Sequence, residues 1–176
     1  MAVSLLDHRQ NRHLRLVSQQ EGLLQVHTAP FRGSFGSVFS QALRAAGLGS
    51  EVVICQFLKG GVDQGVERGL RLCGRLQWLR PDVPRCLDQG SGDEFELRAV
   101  REIWDHTCSL IEAGSADLMV LDELGLAIEL GYLDLAEVAA SLESRAPHLD
   151  VILTGPAMPA SLMAMADQVT QLRRGL

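Results

Sequence analysis

Short apolar runs that do not alternate constrain this chain more than any other feature. Residues 51–58 (EVVICQFL), 117–122 (DLMVLD) and 150–154 (DVILT) are nearly unbroken stretches of aliphatic side chains. A strand with one face in water alternates in polarity, so continuous runs of this length indicate strands buried on both faces. Residues 22–28 (GLLQVHT) and 168–172 supply two further short runs. Helical patterns lie between them. At 37–46, Val38, Phe39, Ala42 and Ala46 fall near one face, and Gly47 and Gly49 end the segment. At 93–113, Val100, Ile103, Trp104, Thr107, Leu110 and Ile111 keep i, i+3, i+4 spacing behind an acidic start at Asp93 and Glu94. Shorter helices are predicted at 135–144 and 161–166. Strands alternating with helices imply βαβ units, right-handed crossovers and a mainly parallel sheet covered on both faces. The expectation is a single α/β domain over residues 21–176, a length that suits one core. An N-terminal arm precedes it at 1–20, with Leu5, Leu14, Leu16 and Val17 as its only apolar anchors.

Residues 60–92 are less regular. Gly60-Gly61 marks a turn, and 65–79 is compatible with a helix. Pro81, Pro84, Gly90 and Gly92 break the remainder into loop, with at most a short strand near 85–87. The net charge of -6 supplies no basic face for nucleic acid or an anionic membrane. No apolar run approaches the ~20 residues of a membrane span, and the N-terminus lacks the apolar core of a signal peptide. Cys55, Cys73, Cys86 and Cys108 form no CxxC pair and show no zinc spacing; they read as reduced thiols packed as small hydrophobes. These features point to the cytoplasm.

Ligands of open parallel sheets bind outside the carboxyl ends of the strands, so three loops matter most. The first, Thr28-Ala29-Pro30-Phe31-Arg32-Gly33-Ser34-Phe35-Gly36, joins a strand to a helix, where a phosphate-binding loop belongs. Such a loop needs glycines so that backbone N–H groups converge on phosphate oxygens, a lysine for charge and a hydroxyl for a metal. Thr28, Arg32, Gly33, Ser34 and Gly36 are the candidates, and the helix N-terminus favours an anion. There is no lysine, and the planar guanidinium of Arg32 does not reproduce a point charge. The same residues also suit an ordinary strand–helix turn. The second loop carries Asp122-Glu123 directly after a buried strand. Carboxylates there can hold Mg²⁺ through water or polarise an attacking water; they also suit an N-cap and a surface charge. The third is Gln56-Phe57-Leu58-Lys59-Gly60-Gly61, where Lys59 either meets a phosphate or carboxylate in the crevice or stands exposed in a turn. The five histidines are scattered without metal spacing, and only His27, ending the first run, is placed towards the crevice. Trp78 and Trp104 suit the core or an interface.

Taken in order, these segments resemble the P-loop type corrinoid adenosyltransferases of the cobalamin pathway, over about residues 22–172. The sharpest match is LMVLDELGLAIELGYLDLAEV at 118–138: a strand, then Asp-Glu, then a Gly-Tyr-Leu turn at Gly131-Tyr132-Leu133 into a helix. QFLKGG at 56–61 is similar to the family's Gln-Phe-x-Lys-Gly, and ALRAAGLG at 42–49 to its helix after the phosphate loop. VILTG at 151–155 and LMAMADQVTQL at 162–172 are similar to its last strand–helix–strand. The resemblance implies a sheet of the P-loop NTPase (RecA-like) type and a homodimer. It implies transfer of the 5′-deoxyadenosyl group of ATP to the Co(I) of a corrinoid, with release of triphosphate. It also implies phosphate contacts from residues 29–36 and a Mg²⁺ site at Asp122 and Glu123. The family's loop reads roughly Gly-x-Gly-Lys-Gly-Lys-Thr-Thr, where this chain has Ala-Pro-Phe-Arg-Gly-Ser-Phe-Gly. Arg32 and Gly33 align, Ser34 stands at the key lysine, and Phe35 and Gly36 stand at the threonines. Pro30 removes a backbone donor, and Phe31 places a ring where the backbone must approach closely. The family's Phe-Thr-Trp segment beside the corrinoid has no counterpart between Leu79 and Asp93, and Pro156 replaces an arginine.

Three readings are open. In the first, a divergent member with lost or weak catalysis acts by binding a nucleotide, a corrinoid or a protein partner, because each lost charge-assisted phosphate contact costs roughly 1.5–3 kcal/mol. In the second, an active transferase holds triphosphate with Arg32, Lys59 and backbone N–H groups. In the third, a different enzyme, such as a hydrolase, uses Asp122 and Glu123 with a metal.

Overall fold

The unbroken apolar runs form the inner strands of a seven-stranded sheet. A computed structural model describes residues 21–33, 35–90 and 92–173; the arm at 1–20 with its four anchors, Ser34, Ser91 and residues 174–176 lie outside the described residues. The elements run β1 (Leu24–Thr28), α1 (Gly36–Gly47), β2 (Val52–Gln56), β3 (Leu70–Leu72), β4 (Leu76–Leu79), α2 (Glu94–Ala113), β5 (Leu118–Asp122), α3 (Leu124–Glu129), α4 (Leu135–Glu143), β6 (Asp150–Gly155), α5 (Ala160–Met165) and β7 (Gln168–Gln171). The strand order is β3-β4-β2-β5-β6-β1-β7. Every neighbouring pair is parallel except β3 with β4. The expected α/β architecture is therefore present, with most element ends shifted by one or two residues.

Alternate residues of each strand face opposite layers. Val53, Cys55, Met119, Leu121, Val151 and Leu153 share one buried cluster with residues of α2, α3, α4 and α5. Val52, Ile54, Leu118, Val120 and Ile152 share the other with Val38, Ala42 and Ala46 of α1. Helices thus cover both faces, but unequally. Because β5 and β6 lie between β1 and β2 in the sheet, α1 crosses over two strands to connect them. α2 starts at Asp93, whose side chain accepts from the Phe95 N–H, and stops at Gly114 in the left-handed region.

The helix compatible with 65–79 does not form. That stretch is the antiparallel hairpin β3–β4, turned by Cys73 and Gly74 at φ 55° and 71°. Two consecutive positive φ values match the twist of a tight hairpin and cannot occur inside a right-handed helix. Pairing of β4 with β2 then decides the outcome, since it buries Leu76 and Leu79. The short strand near 85–87 reduces to one bridge between Lys59 and Cys86. α3, six residues long, is not among the predicted helices.

The thiols do not all pack as small hydrophobes. Cys55 is buried and Cys108 half-buried, whereas Cys73 and Cys86 are exposed. Burial pushes the Cys55 thiol up to about 12, with the Thr107 hydroxyl contact acting in the opposite direction. Since the thiolate is the reactive form, alkylation of the folded protein at about pH 8 is expected to label Cys73 and Cys86 first and Cys55 only after denaturation. Peptide mass mapping of the adducts checks this order.

Candidate functional site

Parallel register brings the carboxyl ends of β2, β5, β6 and β1 to one edge. Gln56 pairs in register with Asp122, and Thr28 with Gly155. Asp122 ends β5 and is 1% exposed, as is Glu123 after it. A buried carboxylate must find donors for its lone pairs, and Asp122 finds three. Its Oδ2 accepts from Gln56 Nε2 at 2.8 Å and from Lys59 Nζ at 3.0 Å. Its Oδ1 accepts from the Thr154 hydroxyl at 2.7 Å. The same hydroxyl oxygen accepts from the Glu123 N–H at 3.2 Å.

Glu123 is held by Arg32 from the β1–α1 loop. Nε donates to Oε1 at 2.8 Å, and a terminal nitrogen donates to Oε2 at 2.7 Å. This is the two-pronged geometry a guanidinium makes with planar or tetrahedral anions. The other terminal nitrogen donates to the Leu87 carbonyl at 3.0 Å. The Glu123 bonds hold the Arg32 guanidinium still further into its charged form, against the opposing effect of burial. Glu123 itself sits at φ 58°, left-handed for a non-glycine residue, which costs roughly 1–2 kcal/mol. Gly155 permits it: a Cβ there would lie 2.9 Å from Glu123 Cα, and its own φ of +128° suits glycine.

The candidate cations and carboxylates thus meet each other. Arg32 and Lys59 are about a third exposed at the mouth, at 32% and 30%, and the carboxylates lie beneath them. Of the sequence alternatives, the crevice position of Lys59 is the observed one; neither Asp122 nor Glu123 is a surface charge, and Glu123 takes the N-cap position of α3 without a side-chain cap bond. Thr28 donates its hydroxyl to the Gly155 carbonyl at 2.9 Å. Gly33 is exposed in the loop, Gly36 is the first residue of α1, and Ser34 lies outside the described residues. Burial lowers the His27 pKa from its ordinary 6.5. A Mg²⁺ ion needs outward-facing carboxylate lone pairs and a triphosphate needs free cations. All four carboxylate oxygens accept and both cations donate to them, while lone pairs of the carboxylates and N–H groups of the cations remain for a further partner.

Sequence reading placed Gln56 at the head of the third loop without giving it a role, and missed Thr154, a polar side chain closing the apolar run at 150–154. It also missed the neighbouring buried Glu96, which accepts from the Tyr132 hydroxyl at 3.2 Å and pairs with Arg85 at 2.7 Å. Burial, followed by the Glu96 charge, raises the Tyr132 pKa. Two cavities flank the edge. One of about 910 Å³ lies between α2 and the 131–135 turn, and contains none of the candidate residues in its wall. The other, about 530 Å³, is lined by Thr28, Pro30, Met158, Met163 and Leu172 among others.

A parallel sheet whose first strand enters a loop and helix, with an acidic pair ending an inner strand, defines the class of P-loop NTPase-like α/β proteins. Within that class the chain belongs to the ATP:corrinoid adenosyltransferase BtuR/CobO/CobP family, whose sequence model matches residues 20–175. It is similar to a corrinoid adenosyltransferase of Escherichia coli K12, 31% identical over 154 residues that span 88% of this chain and 78% of that protein. It is also similar to the corrinoid adenosyltransferase CobA of Salmonella typhimurium LT2, 30% identical over 162 residues, with 88% and 78% covered. A corrinoid adenosyltransferase of Pseudomonas aeruginosa is 29% identical over 160 residues, with 87% and 75% covered.

Two substitutions test the geometry. Arg32→Ala is expected to cost roughly 1–3 kcal/mol by stripping Glu123 of its donors, and Arg32→Ala/Glu123→Gln to recover part of that loss in urea melts. Gly155→Ala is expected to destabilise by roughly 1–3 kcal/mol through the forced φ and the contact with Glu123, checked by the same melts.

Proposed function

We propose that this chain is a divergent family member in which adenosyl transfer is lost or weak and which acts by binding a ligand or a protein partner. The observation that carries the reading is the mutual neutralisation of Arg32 with Glu123 and of Lys59 with Asp122. Phosphate contacts in this fold come from cations and from converging N–H groups, and here the cations are engaged while Pro30 removes one N–H donor. The sheet, the acidic strand end and the Gln56–Lys59 segment are retained as a scaffold. ATP and a corrinoid are the ligands that the family's name suggests, and a homodimer in the cytoplasm is part of the same reading.

The alternative is an active corrinoid adenosyltransferase, transferring the 5′-deoxyadenosyl group of ATP to Co(I). It is favoured by the convergence of Thr28, Arg32, Lys59, Asp122 and Glu123 on one edge. No helix among the described residues is long and apolar enough to cross a membrane.

Titration calorimetry of the full chain with Mg·ATP, with and without a cobalamin, decides between them. Little or no adenosylated product with Co(I) is expected; heat without transfer identifies the bound ligand, and no heat up to millimolar ATP rules out the active enzyme and points to a protein partner. Micromolar binding followed by adenosyl transfer establishes the active enzyme instead.

A further inference from the structure

One face of α2 opens on a cavity. Val100, Ile103, Trp104 and Ile111 bury one side of the helix in the core under the sheet. Glu94, Leu97, Arg98 and Arg101, at i, i+3, i+4 and i+7, line another side. Opposite them stands the turn from α3 into α4, and the two walls bound the space of about 910 Å³. That volume lies within the roughly 300–1,000 Å³ of small-molecule pockets. No residue of the carboxyl-edge cluster lines it, so it is separate from the site of the preceding reading.

Its floor is apolar. Leu97, Ile128 and Leu135 are half-buried and pack on the core from this side. Three side chains in the wall carry N–H or O–H donors. Tyr132 donates its hydroxyl to Glu96 at 3.2 Å. Arg101 reaches across to Glu137 of α4, with contacts of 2.8 and 2.7 Å, and so ties the two helices at one end of the groove. Arg98 is exposed and makes no hydrogen bond or ion pair among the described residues. The cavity thus joins an apolar floor to one uncommitted guanidinium, which suits an anion. Glu94 and Asp134 also line it and would repel a heavily charged ligand.

We propose that this groove is a second binding site, for a small apolar ring system that carries a single anionic group. The ring lies on Leu97, Ile128 and Leu135, and the anion meets Arg98.

Fluorescence titration of the full chain with anilinonaphthalene sulfonate, and with its uncharged parent phenylnaphthylamine, tests the site. The sulfonate is expected to saturate a single site per chain and to bind roughly 10-fold more tightly than the parent, the value of one charge-assisted contact. Arg98→Met is expected to remove that advantage and to leave the parent's affinity unchanged, a separation that a general loss of structure would not produce. Leu97→Trp, which fills the groove, is expected to weaken both probes; should it fail to fold, Arg98→Met still decides. Met163→Trp, placed in the other cavity, is expected to change neither. No saturable binding, a sulfonate advantage that survives Arg98→Met, or loss of binding on Met163→Trp overturns the site. Emission per chain that falls as chain concentration rises would put a second copy over the groove and overturn it equally.

Discussion

The guanidinium of Arg32 organises the carboxyl edge of the sheet. One planar group ties the β1–α1 loop to Glu123 at the start of α3 and to the Leu87 carbonyl in the loop before α2. Three segments remote in sequence are thereby pinned at one point. Only a forked donor does this: a lysine ammonium carries three donors on a compact head and cannot present two parallel bonds to a carboxylate while reaching a carbonyl. The loop's charge is directed inward, at Glu123.

Beneath that clamp runs a second layer built by strand register. Trp78 and Arg80 both donate to Gln56 Oε1, at 2.8 and 3.1 Å. Gln56 donates to Asp122, which accepts from Thr154, whose oxygen accepts from the Glu123 N–H. Four adjacent strands contribute, and the chain of bonds exists because parallel strands end at the same level. Such a network is stable only when every member is satisfied, which the shared donors around Asp122 achieve. The left-handed Glu123 and the bare Gly155 behind it are where backbone strain is concentrated to complete the set.

Much of this fold was legible in the residues because burial on both faces leaves a plain mark. The runs at 51–58, 117–122 and 150–154 became β2, β5 and β6, and the 93–113 pattern became α2. The hairpin at 70–79 was not legible, since LRLCGRLQWL has no strict alternation and its strands are set by pairing with β2. At the site, Asp122 was legible as a carboxylate closing an apolar run. Its partners were not: Arg32 and Glu123 stand 91 positions apart, and Thr154 stands 32 from Asp122. Spacing along the chain carries no sign of pairs that only the strand order creates. Gln56 and Thr154 were visible as polar ends of apolar strands, but nothing local says which buried charge they serve.

The surroundings of the two indoles have a spectroscopic consequence. Trp104 is buried with its ring edge-on to Phe57, centroids 6.0 Å apart. Trp78 lies flat against Phe39 of α1 at 5.4 Å, carries the Arg80 guanidinium 5.4 Å from its ring, and donates its N–H to Gln56. Its excited state therefore senses a cation and, through Gln56, the bonding of Asp122. The chain carries a native optical probe two hydrogen bonds removed from the buried Asp122 carboxylate, with Trp104 as an internal reference in an apolar setting.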